Sequence, residues 1–165
     1  MKKAKYLLIF LLLFFIACAI KKPKDFTNLY DGKYTGLDTL INIDGVYYNK
    51  YNKLAVLFYR DGISIYSSYI DIVSDYTKGS GWDIYKGESK IIYGRYIVSG
   101  DTIIAQQIRT TFTDGTQCST YKYLIKSKTE IIETKSKSVF KFYPLENRMD
   151  STTWLLNKKW FYKKE

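Results

Sequence analysis

The sequence predicts an all-β fold, an antiparallel meander that closes into a small barrel or folds into a sandwich. Two observations carry this. From Leu40 onward Tyr, Ile, Val, Phe and Thr dominate, the residue types that suit a pleated, half-buried surface. Turn dipeptides punctuate that stretch at short intervals: Asp44-Gly45, Asp61-Gly62, Gly100-Asp101 and Asp114-Gly115 place glycine where tight hairpins need a positive φ.

The chain begins with a basic stretch, Met1-Lys2-Lys3-Ala4-Lys5, followed by an unbroken apolar run from Tyr6 to Ile16 and then Ala17-Cys18. This order of basic, apolar and small residues has the form of an export signal. Counted to Ile20, the run falls short of the roughly 20 residues a spanning helix needs, and Lys21-Lys22 follows at once. Residues 18–39 read as a tether, with lysines, Pro23 and no sustained apolar period.

The clearest hairpin runs through residues 54–59, turns at Arg60-Asp61-Gly62 and returns through 63–68. In its second arm Ile63, Ile65 and Ser67 share one face and Ser64, Tyr66 and Ser68 the other, the alternation of a strand with one buried face. A second hairpin joins residues 91–98 to 102–112 across Ser99-Gly100-Asp101. Residues 117–127 form the next arm, and 129–134 and 139–143 continue the meander. Short turns between successive strands make them antiparallel neighbours. Residues 71–81 are polar, contain two glycines and read as a longer loop, with a helical turn at 70–76. Residues 150–165 read as a last strand ending at Trp160-Phe161-Tyr162, the alternative being a helix capped by Asp150 or Ser151.

The tetrapeptide Phe15-Ile16-Ala17-Cys18 resembles the lipobox of bacterial lipoproteins. The resemblance implies that residues 1–17 are a signal peptide cut between Ala17 and Cys18. It also implies diacylglyceryl transfer to the Cys18 thiol and acylation of the new amino terminus, palmitate being the typical chain. Two or three acyl chains hold a protein on a membrane almost permanently, because each buried methylene contributes roughly 0.8 kcal/mol. Cleavage leaves residues 18–165, with 40–165 as a single β domain large enough for its own core. The signal takes three of the 26 basic residues with it, and the remainder still exceeds the 16 acidic ones. A basic surface favours anionic partners, but export makes nucleic acid a poor one. The lysines just after Cys18 point to an outer membrane with the domain facing the periplasm, the cell surface or inner membrane being the alternatives.

The chemistry is bounded by absences. The chain has no histidine, which removes Ser-His-Asp and Cys-His arrangements and the common zinc sets. Ser119 and Ser138 each precede a lysine by three residues, but in strands that spacing points to opposite faces. Cys118, alone once Cys18 is lipidated, reads as a small buried hydrophobe. The acids Asp71, Asp75, Asp83 and Glu88 sit in or beside a polar loop, without the ligand pattern of an EF-hand. The expectation is a non-enzymatic protein with no catalytic residue, cofactor or metal.

Seventeen tyrosines are the remaining resource, since tyrosine packs its ring and keeps its hydroxyl wet. Tyr47, Tyr59, Tyr66, Tyr93 and Tyr96 are the candidate ligand face. The phrases Gly45-Val46-Tyr47-Tyr48, Phe58-Tyr59-Arg60-Asp61-Gly62 and Gly94-Arg95-Tyr96-Ile97-Val98-Ser99-Gly100-Asp101 resemble small lipocalin-like lipoproteins of bacteria. Gly45-Val46-Tyr47 stands where that group carries Gly-x-Trp. The resemblance implies a ligand-holding barrel. The functional expectation is a lipid-anchored envelope protein that binds a small apolar ligand or an envelope glycan through an aromatic face. The alternative is an assembly subunit of an envelope protein complex with no ligand of its own.

Overall fold

The structure is a computed structural model that describes residues 21–27, 30, 33–68, 91–111, 115–145, 151 and 153–162. The expected signal peptide, Cys18 and the 71–81 loop with its acids lie outside the described residues. No described helix is long and apolar enough to cross a membrane.

Eight antiparallel strands form a closed barrel in which each pairs with its neighbour in sequence and β8 returns to β1. They are β1 Gly45–Asn49, β2 Leu54–Phe58, β3 Ile63–Ser68, β4 Ile92–Ser99, β5 Thr102–Thr111, β6 Gly115–Ser127, β7 Glu130–Glu133 and β8 Val139–Pro144. Closure through Tyr47 opposite Phe142 removes the exposed edges that a sandwich would keep. The hairpins stand where the turn chemistry put them. Gly62 N–H donates to the Tyr59 carbonyl at 3.1 Å, and Gly100, with φ 59°, turns β4 into β5. Asp44-Gly45 differs: it opens β1 and makes no hairpin turn.

The period-2 alternation sends one set of residues inward, and the cross-strand register confirms it. Tyr47 faces Val56, Val56 faces Tyr66, Tyr96 faces Ala105, Ile103 faces Tyr123 and Ile131 faces Phe140. These residues make one core, with Phe58 meeting Tyr96 and Tyr123 edge-on at 5.2 and 5.9 Å. An eight-stranded barrel has an interior just wide enough for side chains to fill.

The hairpin of β2 and β3 is not half-buried, as its alternation suggested. Ser64 and Tyr66 point into the barrel, while Ile63 and Ile65 point outward and are also buried. They join Val46, Tyr48, Ala55 and Leu57 in a second cluster outside the barrel, against which Leu145 and Leu156 pack. The run Leu54-Ala55-Val56-Leu57-Phe58, with no polar interruption, is the signature of burial on both faces.

The described segments before and after the strands lie against the barrel. The C-terminal stretch is not a strand: a 3₁₀ turn at Trp154–Asn157 is capped by Thr153 and followed by a helical turn at Lys159–Tyr162. A closed barrel offers no edge for a ninth strand, and Leu155 and Phe161 instead bury their side chains beside Ile108 and Phe26. The expected tether is likewise docked over its described part. Phe26 stacks on Phe161 at 5.8 Å, and Thr27 N–H and the Gln106 amide tie the arm to β5. Tyr30 lies 4.1 Å beneath the buried Arg95 guanidinium, a cation–π contact. A Cβ at Gly62, where φ is 75°, would lie 2.3 Å from that Tyr30 ring, so only glycine allows this seat. Beyond it a one-turn helix, Leu37–Leu40, sends Leu37 and, just after it, Ile41 into the barrel core as a plug.

Candidate functional site

The plug distinguishes the two ends of the barrel. At the plugged end Tyr96 Oη donates to the Tyr59 carbonyl at 2.6 Å and therefore accepts from Thr35 Oγ1 at 3.0 Å. Tyr47 Oη donates to the Lys128 carbonyl at 2.8 Å. Burial raises the pKa of both phenols. Every polar group of these two rings is used in holding the end shut. A hollow of about 290 Å³ beside the plug is bordered by Asp38, Arg60 and Phe142, but its charges are already paired, Arg60 Nε donating to Asp38 at 2.8 Å.

The opposite end is formed by the last residues of β1, β3, β5 and β7 and the first of β2, β4, β6 and β8. Here a cavity of about 160 Å³ lies between Leu54, Tyr66, Tyr121, Tyr123, Glu133 and Phe140, under Asn52, Ser136 and Ser138 of the two neighbouring loops. Its walls follow from alternation: Tyr121 and Tyr123 flank Lys122, so both rings turn inward and the lysine turns out. Tyr66 and Tyr121 stack at 5.8 Å with planes 18° apart, and Tyr121 and Tyr123 at 6.4 Å with planes 19° apart. Three near-parallel phenol rings thus line one wall. Phe140 stands edge-on to Tyr123 at 5.8 Å.

Polar groups without a well-formed hydrogen bond are also buried inside the barrel, between its two ends. No well-formed hydrogen bond reaches Tyr123 Oη, either amide atom of Gln107 or Ser64 Oγ, although the Gln107 side chain lies near enough to the Tyr123 hydroxyl to favour its ionised form. All three residues are at most 2% exposed. The register explains the gap that separates two of them. Ser64 lies opposite Gly94 and Gly94 opposite Gln107, so the residue between the two has no side chain. A Cβ at Gly94 would come within 2.3 Å of the Gln106 carbonyl oxygen, which keeps that position glycine. A buried polar group left unpaired costs about 1–3 kcal/mol. Three such residues inside one barrel mark a place that is incomplete without solvent or a ligand.

Glu133 is the charged member. Of the two buried charged side chains among the described residues, Arg95 lies on the outer face and Glu133 on the inner. Burial pushes the Glu133 pKa up. Ser136 and the backbone of the β7–β8 turn outweigh it and hold the carboxyl below its ordinary value, with Ser136 N–H donating at 2.6 Å and Lys135 N–H at 3.0 Å. Its negative charge in turn raises the pKa of Tyr66, pushed up to about 12 chiefly by burial, and of the buried Tyr123. At neutral pH the cavity therefore presents the Glu133 carboxylate and the neutral phenols of Tyr66 and Tyr123.

The rim is basic. Lys50, Lys53, Lys135 and Lys137 are exposed in the two loops over the cavity, and Arg109 is exposed near the end of β5. Lys53 and Lys137 both adopt a left-handed backbone, with φ of 50° and 60°, uncommon for residues other than glycine. Asn52 Nδ2 donates to Ser138 Oγ at 3.2 Å and joins the loops.

The five candidate tyrosines do not form one face. Tyr66 alone lines the cavity; Tyr47 and Tyr96 brace the plugged end, and Tyr59 and Tyr93 lie outside with the second cluster. Tyr121, Tyr123, Gln107 and Glu133 were missed. The ring-lysine-ring text Tyr121-Lys122-Tyr123 carries the signal for two of them, and Ile131-Ile132-Glu133 places Glu133 on the face of Ile131. Cys118 is half-buried, its thiol pushed up to about 11 by burial, which leaves it protonated. No cluster of metal-ligating side chains occurs among the described residues. Comparison with protein-family models, with curated proteins and with solved structures finds no match.

Proposed function

We propose that this chain is a lipid-anchored envelope protein, without enzymatic activity, whose barrel holds a small ligand at its open end. The observation that carries the reading is the cavity walled by Tyr66, Tyr121, Tyr123 and Glu133, at the end of the barrel that no described residue plugs. Its lining is mostly aromatic and apolar, with Asn52, Glu133, Ser136 and Ser138 as the polar members, so it suits a ligand that offers apolar surface and one polar group. The volume narrows the occupant. A cavity of about 150 Å³ admits benzene, so one of about 160 Å³ takes a group of roughly six to eight non-hydrogen atoms. A long acyl chain does not fit, because Phe58, Tyr96, Tyr123 and Phe140 fill the barrel below.

The anchor enters the same reading through Cys18. The described arm is docked from Pro23, which is buried, so only residues 19–22 separate an acylated Cys18 from the barrel. The five steps from Cys18 to Pro23 span at most about 18 Å when extended. The domain therefore rides close to the membrane surface. Among the described residues the exposed large apolar side chains are scattered and form no single assembly surface: Tyr51 and Val139 lie at the cavity end, Leu40 and Tyr34 at the plugged end and Tyr162 on the C-terminal turn.

Native mass spectrometry of the full-length protein, purified from membranes in a maltoside detergent, tests the reading. A small molecule retained at one per chain is expected, and its loss in the double variant Gln107→Leu/Tyr123→Phe. A chain that carries nothing, and whose melting temperature no extract of its own cells raises, overturns it.

A further inference from the structure

We propose that the group the cavity accepts is an organic ammonium, presented with its counter-charge toward the rim. This rests on the ligand-holding reading above and names the chemistry of that same site. Three features converge. The carboxylate of Glu133 is buried on the inner wall, and the nearby Lys135 charge acts on it without closing a salt bridge among the described residues. The stacked rings of Tyr66, Tyr121 and Tyr123 border the same space, and the π faces of neutral phenols attract cations. Asn52, Ser136 and Ser138 border the same space and add acceptors for an N–H or for a hydroxyl on the same ligand.

The alternative for Glu133 is a turn cap only. Its two oxygens do accept from the backbone of Lys135 and Ser136, but each oxygen keeps a second lone pair. A cap also needs no aromatic wall. The basic rim argues against long-range attraction of a bare cation. At about 0.15 M salt, however, charges more than ~8 Å away through solvent are largely screened, while a partly desolvated contact with Glu133 is not. An anion attached to the ammonium meets Lys50, Lys53, Lys135 and Lys137 instead of opposing them. The ligand class is thus a zwitterion with an ammonium end small enough for about 160 Å³. Trimethylammonium and ethanolammonium groups meet that limit, whether on a free metabolite or on a lipid head group.

Calorimetric titration of the full-length protein in maltoside tests this with four probes: choline, its uncharged isostere 3,3-dimethylbutan-1-ol, phosphocholine and acetate. The expected result is choline at least ten-fold tighter than the isostere, phosphocholine tighter than choline, and no binding of acetate in the cavity. Glu133→Gln should erase the preference for choline over the isostere. Tyr66→Leu, which leaves the Glu133 turn intact, should weaken choline several-fold, so the test survives if Glu133→Gln fails to fold. Equal binding of choline and the isostere, or choline binding that neither variant changes, overturns the ammonium assignment. If no ammonium binds but native mass spectrometry still shows a retained neutral molecule, this inference falls and the ligand-holding reading stands; if neither is seen, both fall. Phosphatidylcholine vesicles that displace choline, where phosphatidylglycerol vesicles do not, identify a lipid head group as the source. Choline binding untouched by either vesicle identifies a free metabolite.

Discussion

Tyr123 is wholly buried, yet its hydroxyl makes no well-formed hydrogen bond, the carboxamide of Gln107 being its one polar neighbour among the described contacts. Such groups weaken a ligand-free fold. Removing them should therefore stabilise it: Tyr123→Phe is expected to raise stability by about 1 kcal/mol in urea melts of the ligand-free protein, while lowering affinity for any ligand. A loss of stability of that size instead would mean that the hydroxyl already has a partner. Glu133 should behave oppositely. Its pKa is lowered in the fold, so the stability it contributes is present above the ordinary carboxyl value of 4.5 and disappears as pH falls through the lower folded value. Wild type should melt higher than Glu133→Gln at pH 7, and the gap should close as melts are repeated at progressively lower pH below 4.5. A gap that is constant with pH would contradict the assigned charge.

At the scale of elements, each hairpin was legible because its turn chemistry and its alternation agree. Residues 54–68 and 91–112 show both signals, and β2 to β5 lie within a residue or two of the expected bounds. What the pattern could not show is which face turns inward. Ile63 and Ile65 look like core and are buried outside, because Leu145 and Leu156 cover them, a contact far away in sequence. The terminal segments failed for the same reason. Phe26 and Tyr30 stand among lysines and read as tether until Arg95 and Phe161 supply their packing. Phe26→Ala should accordingly cost about 3–5 kcal/mol in a urea melt, the range for emptying a buried aromatic site; a cost below ~0.5 kcal/mol would restore the free tether. Gly94→Ala is a sharper probe of the site. A methyl group there meets backbone rather than a movable side chain, so β4 and β5 must part, and amide exchange should quicken at Tyr93–Arg95 and Gln106–Ile108.

For the whole molecule, barrel closure turns a tyrosine-rich meander into a container with one end plugged and the other left open by the described residues. The sequence pointed to a barrel or sandwich and to aromatic recognition. It placed the recognition on five tyrosines of which Tyr66 alone borders the cavity, because shear and register, not local pattern, decide which inward residues share a layer. The anchor is a separate matter and has its own test. Cys18→Ser should move the protein from the membrane pellet to the soluble fraction without changing its circular dichroism; retention in the pellet would contradict lipidation as the attachment. The central claim is that the open-end cavity is occupied by a ligand when the protein works. A crystal structure of the protein taken from its own membranes tests it most directly. The account predicts density for a small molecule between Glu133 and the Tyr66, Tyr121 and Tyr123 rings, within hydrogen-bond distance of Tyr123 Oη or the Gln107 amide. Density for ordered waters alone, or a Tyr66 ring folded in to fill the space, would contradict it.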